Sequence, residues 1–128
     1  MSKRILIVDD EEDIAFSISR RLAAEGYEVI CAEDGAEGLR RAQTESPDLI
    51  LLDLMLPKMD GYKVCRLLKF DERYKQIPVI ILSARSQQED IALGSETGAE
   101  AYLTKPCDTG ELLGKIRELL EAPARNTS

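Results

Sequence analysis

Five short runs of apolar residues recur along the chain, and each is followed by a segment with the periodicity of an amphipathic helix. The runs are rich in isoleucine, valine and leucine, as is typical of β-strands. Glycine or proline stands at several of the boundaries, where it interrupts regular structure. The pattern therefore predicts five βα units, with strands at residues 5–8, 29–32, 49–52, 78–82 and 101–103.

The helical segments differ in how strongly their apolar residues repeat. The fourth, over residues 87–96, has the weakest pattern, whereas the last has the strongest. Asp34 is placed to cap the N-terminus of the second helix. The predicted apolar faces are, in chain order, Ile14, Ile18 and Leu22; Ala36, Leu39 and Ala42; Val64, Leu67 and Leu68; Ile91, Ala92 and Leu93; and Leu112, Leu113, Ile116, Leu119 and Leu120.

The alternation of strands and helices indicates an α/β fold. The first, third and fourth strands are apolar throughout, as expected for strands that helices cover on both faces. Five such units predict a doubly wound parallel sheet. With 128 residues the chain fits one domain. We predict that this domain spans residues 1–121 and that residues 122–128 form a disordered polar tail.

The composition argues against several classes of function. A net charge of −7 is unfavourable for direct nucleic-acid binding, because phosphate backbones attract basic surfaces. The absence of histidine excludes a Ser-His-Asp or Cys-His nucleophile and argues against a zinc site. Cys31, Cys65 and Cys107 match no metal-binding spacing, and we predict that they are small buried residues.

Signals for membrane insertion or secretion are missing from the sequence. No apolar run approaches the roughly 20 residues that a membrane-spanning helix needs. Only four apolar residues follow the basic start, Met1 to Arg4, too few for the core of a signal peptide. We therefore expect a cytoplasmic protein that does not bind membranes.

Charged and hydroxyl side chains follow the predicted strands. In a parallel sheet these positions share the carboxyl edge, where α/β proteins bind their ligands. The sequence therefore predicts one site with three carboxylates, a hydroxyl and an ammonium group. Its members are Asp9 and Asp10 after the first strand, Asp53 after the third, Ser83 after the fourth and Lys105 after the fifth.

This set of groups is suited to metal-dependent phosphoryl transfer. Oxygen ligands without histidine or thiolate favour a hard cation, above all Mg²⁺. Lys105 and Ser83 can hold phosphoryl oxygens, by charge and by hydrogen bond. Asp53 can then attack phosphorus as a carboxylate nucleophile and form an aspartyl phosphate.

The remaining acids near the first strand have a structural explanation. We expect Glu11, Glu12 and Asp13 to be solvated residues of the loop and the first helical turn. The positive end of a helix dipole favours negative charge there. Of the five consecutive acids, only Asp9 and Asp10 are thus assigned to the site.

Four motifs together are typical of one protein family. They are ILIVDDEED (5–13), PDLILLDLMLPKMDG (47–61), IPVIILSA (77–84) and GAEAYLTKP (98–106). With them the chain resembles the receiver domains of bacterial two-component response regulators, such as the chemotaxis receivers, over about residues 3–121. The resemblance implies a flavodoxin-like three-layer αβα sandwich whose five parallel strands are ordered 2-1-3-4-5.

The resemblance also implies how a metal is bound. Asp53 corresponds to the phosphoacceptor and, with Asp10, to a direct ligand of Mg²⁺, for which Mn²⁺ can substitute. Asp9 corresponds to a second acid that acts through water. Met55 lies where the family supplies a backbone carbonyl to the metal.

Further positions resemble the parts of the family that sense the phosphoryl group. Lys105 corresponds to the phosphate-binding lysine, and the Lys105–Pro106 bond is cis in the family. Ser83 corresponds to the hydroxyl switch residue. Tyr102 corresponds to the aromatic residue that turns inward after phosphorylation.

The function that the resemblance implies is a phosphorylation switch. A histidine kinase or a histidine phosphotransfer protein donates a phosphoryl group to Asp53. The face made by the fourth predicted helix, the fifth strand and the fifth predicted helix then changes its preference for an effector or output domain. Such a protein is a phosphoacceptor and not an enzyme, although it takes part in its own phosphorylation and dephosphorylation.

The oligomeric state that the resemblance implies is a monomer or a phosphorylation-dependent dimer. Receivers of transcription factors dimerise through that same face. They usually carry an acid where this chain has Ala101 and a lysine where it has Ile91. Both differences remove charge partners and argue against that dimer.

Other functions stay open on the sequence alone. A pseudo-receiver, a docking module that is never phosphorylated, has the same fold, although the intact set of site residues argues against it. A haloacid-dehalogenase-type phosphatase also forms an aspartyl phosphate, but it needs an acid where this chain has Met55. A flavodoxin needs a phosphate-binding loop after the first strand, where acids stand here and would repel the phosphate.

Overall fold

A five-stranded parallel sheet forms the centre of the structure, a computed structural model that describes residues 3–54, 56, 59, 61–83, 98–105 and 108–121. The strands are ordered β2-β1-β3-β4-β5, and every neighbouring pair is parallel. The predicted fold class and strand order are confirmed. The strands are β1 (Arg4–Val8), β2 (Glu28–Ala32), β3 (Leu49–Asp53), β4 (Val79–Ser83) and β5 (Ala101–Thr104).

Four helices lie within the described residues. They are α1 (Glu12–Ala24), α2 (Gly35–Glu45), α3 (Gly61–Lys69) and α4 (Thr109–Glu121). The first three are the first three predicted helices, and α4 is the last predicted one. The helix predicted over 87–96 and the tail predicted over 122–128 lie outside the described residues. None of these four helices is long and apolar enough to cross a membrane.

Helices cover both faces of the sheet. Successive side chains of a strand point to opposite faces, so each central strand contributes to two apolar clusters. One cluster joins the sheet to α1 and α4, and the other joins it to α2 and α3. The first contains Ile5, Ile7, Leu49, Leu51, Ile80 and Leu82 of the sheet, and the second contains Leu6, Val8, Ile50, Leu52, Val79 and Ile81.

Three strands end one residue later than their apolar pattern predicts: β5 ends at Thr104, and the other two end at site residues. Asp53 is the last residue of β3 and Ser83 is the last residue of β4. Their partners across the sheet are Leu82 and Thr104, respectively. The pattern ends early because both residues are polar, whereas strand pairing depends on the backbone. The sheet therefore holds the backbone of both residues in place.

A buried ion pair ties the start of β5 to the rest of the fold. Lys69 donates to Glu100 across 2.7 Å, and the two side chains are 7% and 11% exposed. The second oxygen of Glu100 accepts from the backbone N–H of Val79, at 2.8 Å. Because the charges are paired and also hydrogen-bonded, their burial is tolerated. The pair thus anchors the strand that leads to Tyr102 and Lys105.

The prediction of buried cysteines is partly wrong. Cys65 is buried on α3, as predicted, but Cys31 is exposed. Cys31 lies in β2, an edge strand whose residues are mostly half-buried or exposed. Its apolar neighbours along the chain therefore do not imply burial. Cys107 lies outside the described residues.

Candidate functional site

The carboxyl edge of the sheet brings the predicted site residues together. Asp9 and Asp10 directly follow β1, and Lys105 directly follows β5. Asp53 and Ser83 end β3 and β4. The carboxyl ends of parallel strands meet at one edge, so residues that are far apart in sequence converge there.

Asp9, Asp10 and Asp53 form a compact cluster, called here the acidic trio. Each offers one carboxylate oxygen, and these oxygens all lie within 4.8 Å of one another. Asp9 and Asp53 are each 4% exposed, whereas Asp10 is exposed. Like charges this close repel one another where water is largely excluded. Three oxygen donors without nitrogen or sulfur are the set that Mg²⁺ prefers, so the trio fits that ion.

Lys105 places a positive charge beside two members of the acidic trio. Its ammonium nitrogen lies 2.8 Å from Oδ2 of Asp9 and 3.3 Å from Oδ2 of Asp53. Burial by itself lowers the pKa of Lys105. The hydrogen bond to Asp9 and the charge of Asp53 outweigh burial, and the pKa is raised well above its ordinary value. The side chain is thus a permanent cation at neutral pH.

Asp9 is held in place by hydrogen bonds on both carboxylate oxygens. Oδ1 accepts from the backbone N–H of Glu11 at 2.9 Å, and Oδ2 accepts from Lys105 at 2.8 Å. The backbone N–H of Asp9 donates to the carbonyl of Ala32, at 3.1 Å. The orientation of this carboxylate is therefore fixed by β2, by the start of α1 and by Lys105.

The backbone of Lys105 is tied to the neighbouring strand. Its N–H donates to the carbonyl oxygen of Ser83 across 2.7 Å. This bond continues the β4–β5 ladder by one step and orients the residue that carries the ammonium group. The last residue of β4 thus helps to place Lys105.

Gly61 allows α3 to begin close to the end of β3. Its backbone N–H donates to the carbonyl of Leu54, at 3.1 Å. A Cβ atom at position 61 would overlap the carbonyl oxygen of Asp53 and lie 2.7 Å from Cα of Leu54. The glycine therefore has a packing role directly beside the site, which the sequence motif alone does not show.

Ser83 and Tyr102 belong to the same face of the sheet. Ser83 is fully buried, and Tyr102 is partly buried against the cluster that joins the sheet to α2 and α3. Tyr102 pairs with Ile81, two residues before Ser83, so the strand alternation puts the three side chains on one face. The structure therefore brings these two residues near one another on neighbouring strands.

Glu11 is the site residue that sequence reasoning missed. It is a solvated loop residue, as expected, with a side chain that is 56% exposed, and its carboxylate also accepts from Lys105 at 3.2 Å. Glu12 and Asp13 lie in the first turn of α1, as predicted. The chain bends after Asp9, whose carboxylate binds the N–H of Glu11, and this bend returns Glu11 to the edge. No spacing in the sequence signals such a bend.

Two predicted positions lie outside the described residues. They are Met55, expected to offer its backbone carbonyl to a metal, and Pro106, expected to follow a cis bond. Both assignments stay predictions.

The model of the response regulator receiver domain matches residues 5–117. The chain belongs to the response regulator receiver domain family. This match confirms the resemblance noted in the sequence. Response regulators are signalling proteins of two-component systems. The acidic trio and Lys105 lie within the matched residues of the receiver domain.

Two curated bacterial relatives are similar to nearly the whole receiver domain. The alkaline phosphatase synthesis transcriptional regulatory protein PhoP of Bacillus subtilis (strain 168) is 44% identical over 120 residues, which cover 94% of this chain and 49% of that protein. The DNA-binding dual master transcriptional regulator RpaA of a Synechocystis species is 48% identical over 122 residues, with coverages of 95% and 51%. The chain spans about half the length of the curated relatives it matches.

A solved relative holds a metal ion. The receiver domain of the sensor histidine kinase PA1611 from Pseudomonas aeruginosa PAO1 is 30% identical, with a TM-score of 0.87 over 95% of this chain and 100% of that one. A magnesium ion is coordinated in the active site cleft of that protein. The acidic trio thus has a donor set that suits the ion found in a relative of the same fold.

Proposed function

We propose that this receiver domain is a phosphorylation switch in which Asp53 accepts a phosphoryl group. The observation that carries the proposal is the surroundings of the Asp53 carboxylate. It is buried, lies within 4.8 Å of the carboxylate oxygens of Asp9 and Asp10, and lies 3.3 Å from the ammonium of Lys105. Phosphoryl transfer depends mainly on positioning and on neutralising charge, and this arrangement supports both.

The donor that we propose is a phosphohistidine, on a histidine kinase or on a histidine phosphotransfer protein. A carboxylate oxygen of Asp53 attacks phosphorus, and the bond between phosphorus and the imidazole nitrogen breaks. The electron pair of that bond stays on the nitrogen, and the product on this chain is an acyl phosphate. The receiver domain thereby takes part in its own phosphorylation without being an enzyme.

The acidic trio is proposed as the Mg²⁺ site. We assign the side chains of Asp10 and Asp53 and the backbone carbonyl of Met55 as ligands, and Asp9 as a ligand through water. Both oxygens of Asp9 already accept hydrogen bonds, which supports an indirect role for this residue. Bound Mg²⁺ offsets the negative charge of the carboxylates and of the phosphoryl oxygens. Mn²⁺ also accepts oxygen ligands and is proposed as a substitute.

Lys105 and Ser83 are proposed to hold the oxygens of the new phosphoryl group. The ammonium of Lys105 is already 3.3 Å from Oδ2 of Asp53, and its raised pKa keeps it protonated. Ser83 ends the neighbouring strand, with a hydroxyl that can donate to an oxygen on Asp53. Charge-assisted hydrogen bonds of this kind are roughly twice as strong as neutral ones.

Ser83 and Tyr102 are proposed to pass the signal to the surface. In this proposal the phosphoryl group attracts the Ser83 hydroxyl and Tyr102 fills the vacated space. Their common face of the sheet supports such a coupling. We propose that the fourth predicted helix, which lies outside the described residues, acts with β5 and α4 in changing the preference for an effector or output domain. We propose this for a cytoplasmic protein that is a monomer or a phosphorylation-dependent dimer.

A small-molecule donor tests the phosphoacceptor directly. The wild-type protein is treated with acetyl phosphate and Mg²⁺, and its intact mass is measured. We expect the gain of one phosphoryl group in the wild type and none in Asp53→Asn. The matched control is Asp13→Asn, which removes an exposed acid of the first turn of α1 and should still be phosphorylated.

The outcomes separate the proposed function from its alternatives. A gain of one phosphoryl group by Asp53→Asn, equal to that of the wild type, would contradict the assignment of Asp53 as the phosphoacceptor. A wild-type protein that gains no mass from acetyl phosphate or from a phosphoramidate donor supports the docking module instead.

A further inference from the structure

We propose that Glu11 is a positioning residue for phosphoryl transfer: its carboxylate accepts from one N–H of the Lys105 ammonium and so keeps that N–H from a phosphoryl group that approaches Asp53. The inference deepens the proposed function and rests on it. It concerns an acid that lies outside the acidic trio.

The three donors of the Lys105 ammonium are all engaged. A lysine ammonium has three N–H groups and no acceptor. Its acceptors in this structure are Asp9 at 2.8 Å, Glu11 at 3.2 Å and Asp53 at 3.3 Å. An oxygen of a phosphoryl group that approaches Asp53 can bond to Lys105 only by displacing one of these acceptors. The ease with which the first acceptor leaves Lys105 therefore affects the rate of phosphoryl transfer.

The backbone around Glu11 fixes where its side chain begins. The N–H of Glu11 donates to Oδ1 of Asp9 at 2.9 Å, and its carbonyl accepts from the N–H of Ala15 at 3.0 Å. The residue immediately precedes α1, with an extended backbone conformation. The backbone of Glu11 is thus held between the site and the first turn of α1.

Glu11 differs from the two other acceptors in its exposure to water. The side chains of Asp9 and Asp53 are 3% and 4% exposed, whereas that of Glu11 is 56% exposed. Water screens the attraction between Glu11 and Lys105, and a displaced Glu11 is readily solvated. Before transfer, while Asp53 is still a carboxylate, displacing Asp9 or Asp53 instead leaves a buried carboxylate without its partner, which costs more. Glu11 is therefore the acceptor that yields to the phosphoryl group.

Removing the Glu11 carboxylate should accelerate phosphorylation. Glu11→Gln replaces the charged acceptor by a neutral amide oxygen, which holds the Lys105 donor less tightly and yields it more easily to the incoming group. It also removes a negative charge near the approach of an anionic donor, and both effects act in the same direction. From the typical strength of an exposed ion pair we expect an increase of about two- to five-fold in the rate with acetyl phosphate.

Two further variants separate the contact with Lys105 from charge alone. Glu12→Gln removes the same charge from the next residue, which is exposed in the first turn of α1 and is not an acceptor of Lys105. Glu11→Asp keeps the charge but shortens the side chain by one methylene, which weakens its reach to Lys105. We expect the rate to rise in Glu11→Asp, by less than in Glu11→Gln. In Glu12→Gln we expect a smaller rise than in Glu11→Gln, because only the charge effect remains there.

A measurement that needs no phosphorylation tests the contact itself. The protons of the Lys105 ammonium, followed by nitrogen-resolved NMR, should exchange with water faster in Glu11→Gln than in the wild type. They should exchange at the wild-type rate in Glu12→Gln. Circular dichroism and thermal unfolding establish that each variant is folded.

The outcomes distinguish this inference from the proposed function. Unchanged phosphorylation in Glu11→Gln, or an equal increase in Glu12→Gln, overturns the role of Glu11 while the switch stands. If Glu11→Asp is phosphorylated at the wild-type rate, the effect of Glu11→Gln is due to charge alone, and the proposed role of the contact with Lys105 is also wrong. If the wild-type protein is not phosphorylated at all, the proposed function is wrong. If Glu11→Gln nevertheless speeds the exchange of the Lys105 ammonium protons, the contact between Glu11 and Lys105 is only structural.

Discussion

At the scale of single residues, Lys105 offsets part of the negative charge of the site. It is one cation among three carboxylate acceptors, and two of these, Asp9 and Asp53, are buried. A buried carboxylate without a partner is costly, so the ammonium serves stability as well as chemistry. The same contacts raise the pKa of Lys105.

Replacing Lys105 by methionine should therefore destabilise the fold. We expect Lys105→Met to lower the free energy of unfolding by about 1.5–3 kcal/mol at pH 7, the usual range for hydrogen bonds to charged groups. Urea unfolding measures the difference. The control is Lys115→Met, which removes a partly exposed ion pair with Glu118 on α4 and should cost less than about 1 kcal/mol.

The destabilisation by Lys105→Met should be independent of pH between about 7 and 10. Folding raises the pKa of Lys105, so the folded protein binds this proton more tightly than the unfolded chain. The stabilisation is complete below the ordinary lysine pKa of about 10.4 and is lost only as the pH rises through the raised folded value. A difference that shrinks between pH 7 and pH 9 would contradict the raised pKa.

The residue types of the site could be predicted, but their complete set could not. Asp9, Asp10, Asp53 and Lys105 follow recognisable strands, so their convergence is implied by any parallel sheet. Glu11 is exposed, as expected, but its contact with Lys105 could not be predicted, because a sequence does not show how a chain bends after a strand. Its contact depends on the hydrogen bond between its own N–H and Asp9.

At the scale of elements, the approach of α3 to β3 shapes the site. Gly61 begins α3 where the backbone of Asp53 and Leu54 leaves no room for a Cβ atom. Backbone atoms cannot move aside as a flexible side chain can. The start of the helix and the end of the strand are therefore coupled through this one position.

Gly61→Ala should destabilise the protein and slow phosphorylation. We expect a loss of about 1–3 kcal/mol in unfolding free energy, as for other overpacked positions. The phosphorylation rate should fall as well, because the end of β3 that carries Asp53 must shift. Denaturant unfolding and the acetyl phosphate assay measure the two effects.

A second glycine provides the matched control for Gly61→Ala. Gly114 lies exposed within α4, and a Cβ there meets nothing within 4 Å. Gly114→Ala should stabilise the protein by about 0.5–1 kcal/mol through its better helix propensity, with no change in phosphorylation. If Gly61→Ala is as stable as the wild type, the close packing of α3 on β3 is refuted.

The elements themselves could largely be predicted from periodicity. The central strands bury both faces, so their apolar runs are long and clear, and their predicted bounds are within one residue of the observed ones. The edge strand β2 is more exposed, and its pattern misled the prediction for Cys31. An apolar pattern reflects which residues are buried, and the residues of an edge strand are less buried than those of a central strand.

At the scale of the whole molecule, folding concentrates negative charge. The acidic trio combines residues from the ends of β1 and β3, which the strand order places side by side. In the unfolded chain Asp53 is far from the other two acids, so the repulsion arises on folding. The stability of the fold should therefore respond to metal ions.

Asp10→Asn tests this cost of folding. Without divalent metal we expect it to raise the midpoint of thermal unfolding by about 2–5 °C, because one of three repelling charges is removed. Addition of Mg²⁺ should raise the midpoint of the wild type and have a much smaller effect on Asp10→Asn. Chelation with EDTA should reverse the stabilisation.

The control for Asp10→Asn is again Asp13→Asn, which removes a nearby acid outside the acidic trio. It should keep the full response of the wild type to Mg²⁺. A midpoint of Asp10→Asn that lies below the wild type in the absence of metal would contradict mutual repulsion within the trio.

The sequence by itself determined the α/β class, the central strands, the family and the residue types at the carboxyl edge. These follow from local periodicity and from motifs, which a linear chain displays directly. Only the tertiary structure decided that Glu11 joins Asp9 and Asp53 around Lys105 and that Gly61 lies against the backbone of β3. Such contacts depend on distances between segments that are remote in sequence or joined by an irregular bend, and no local pattern encodes those distances.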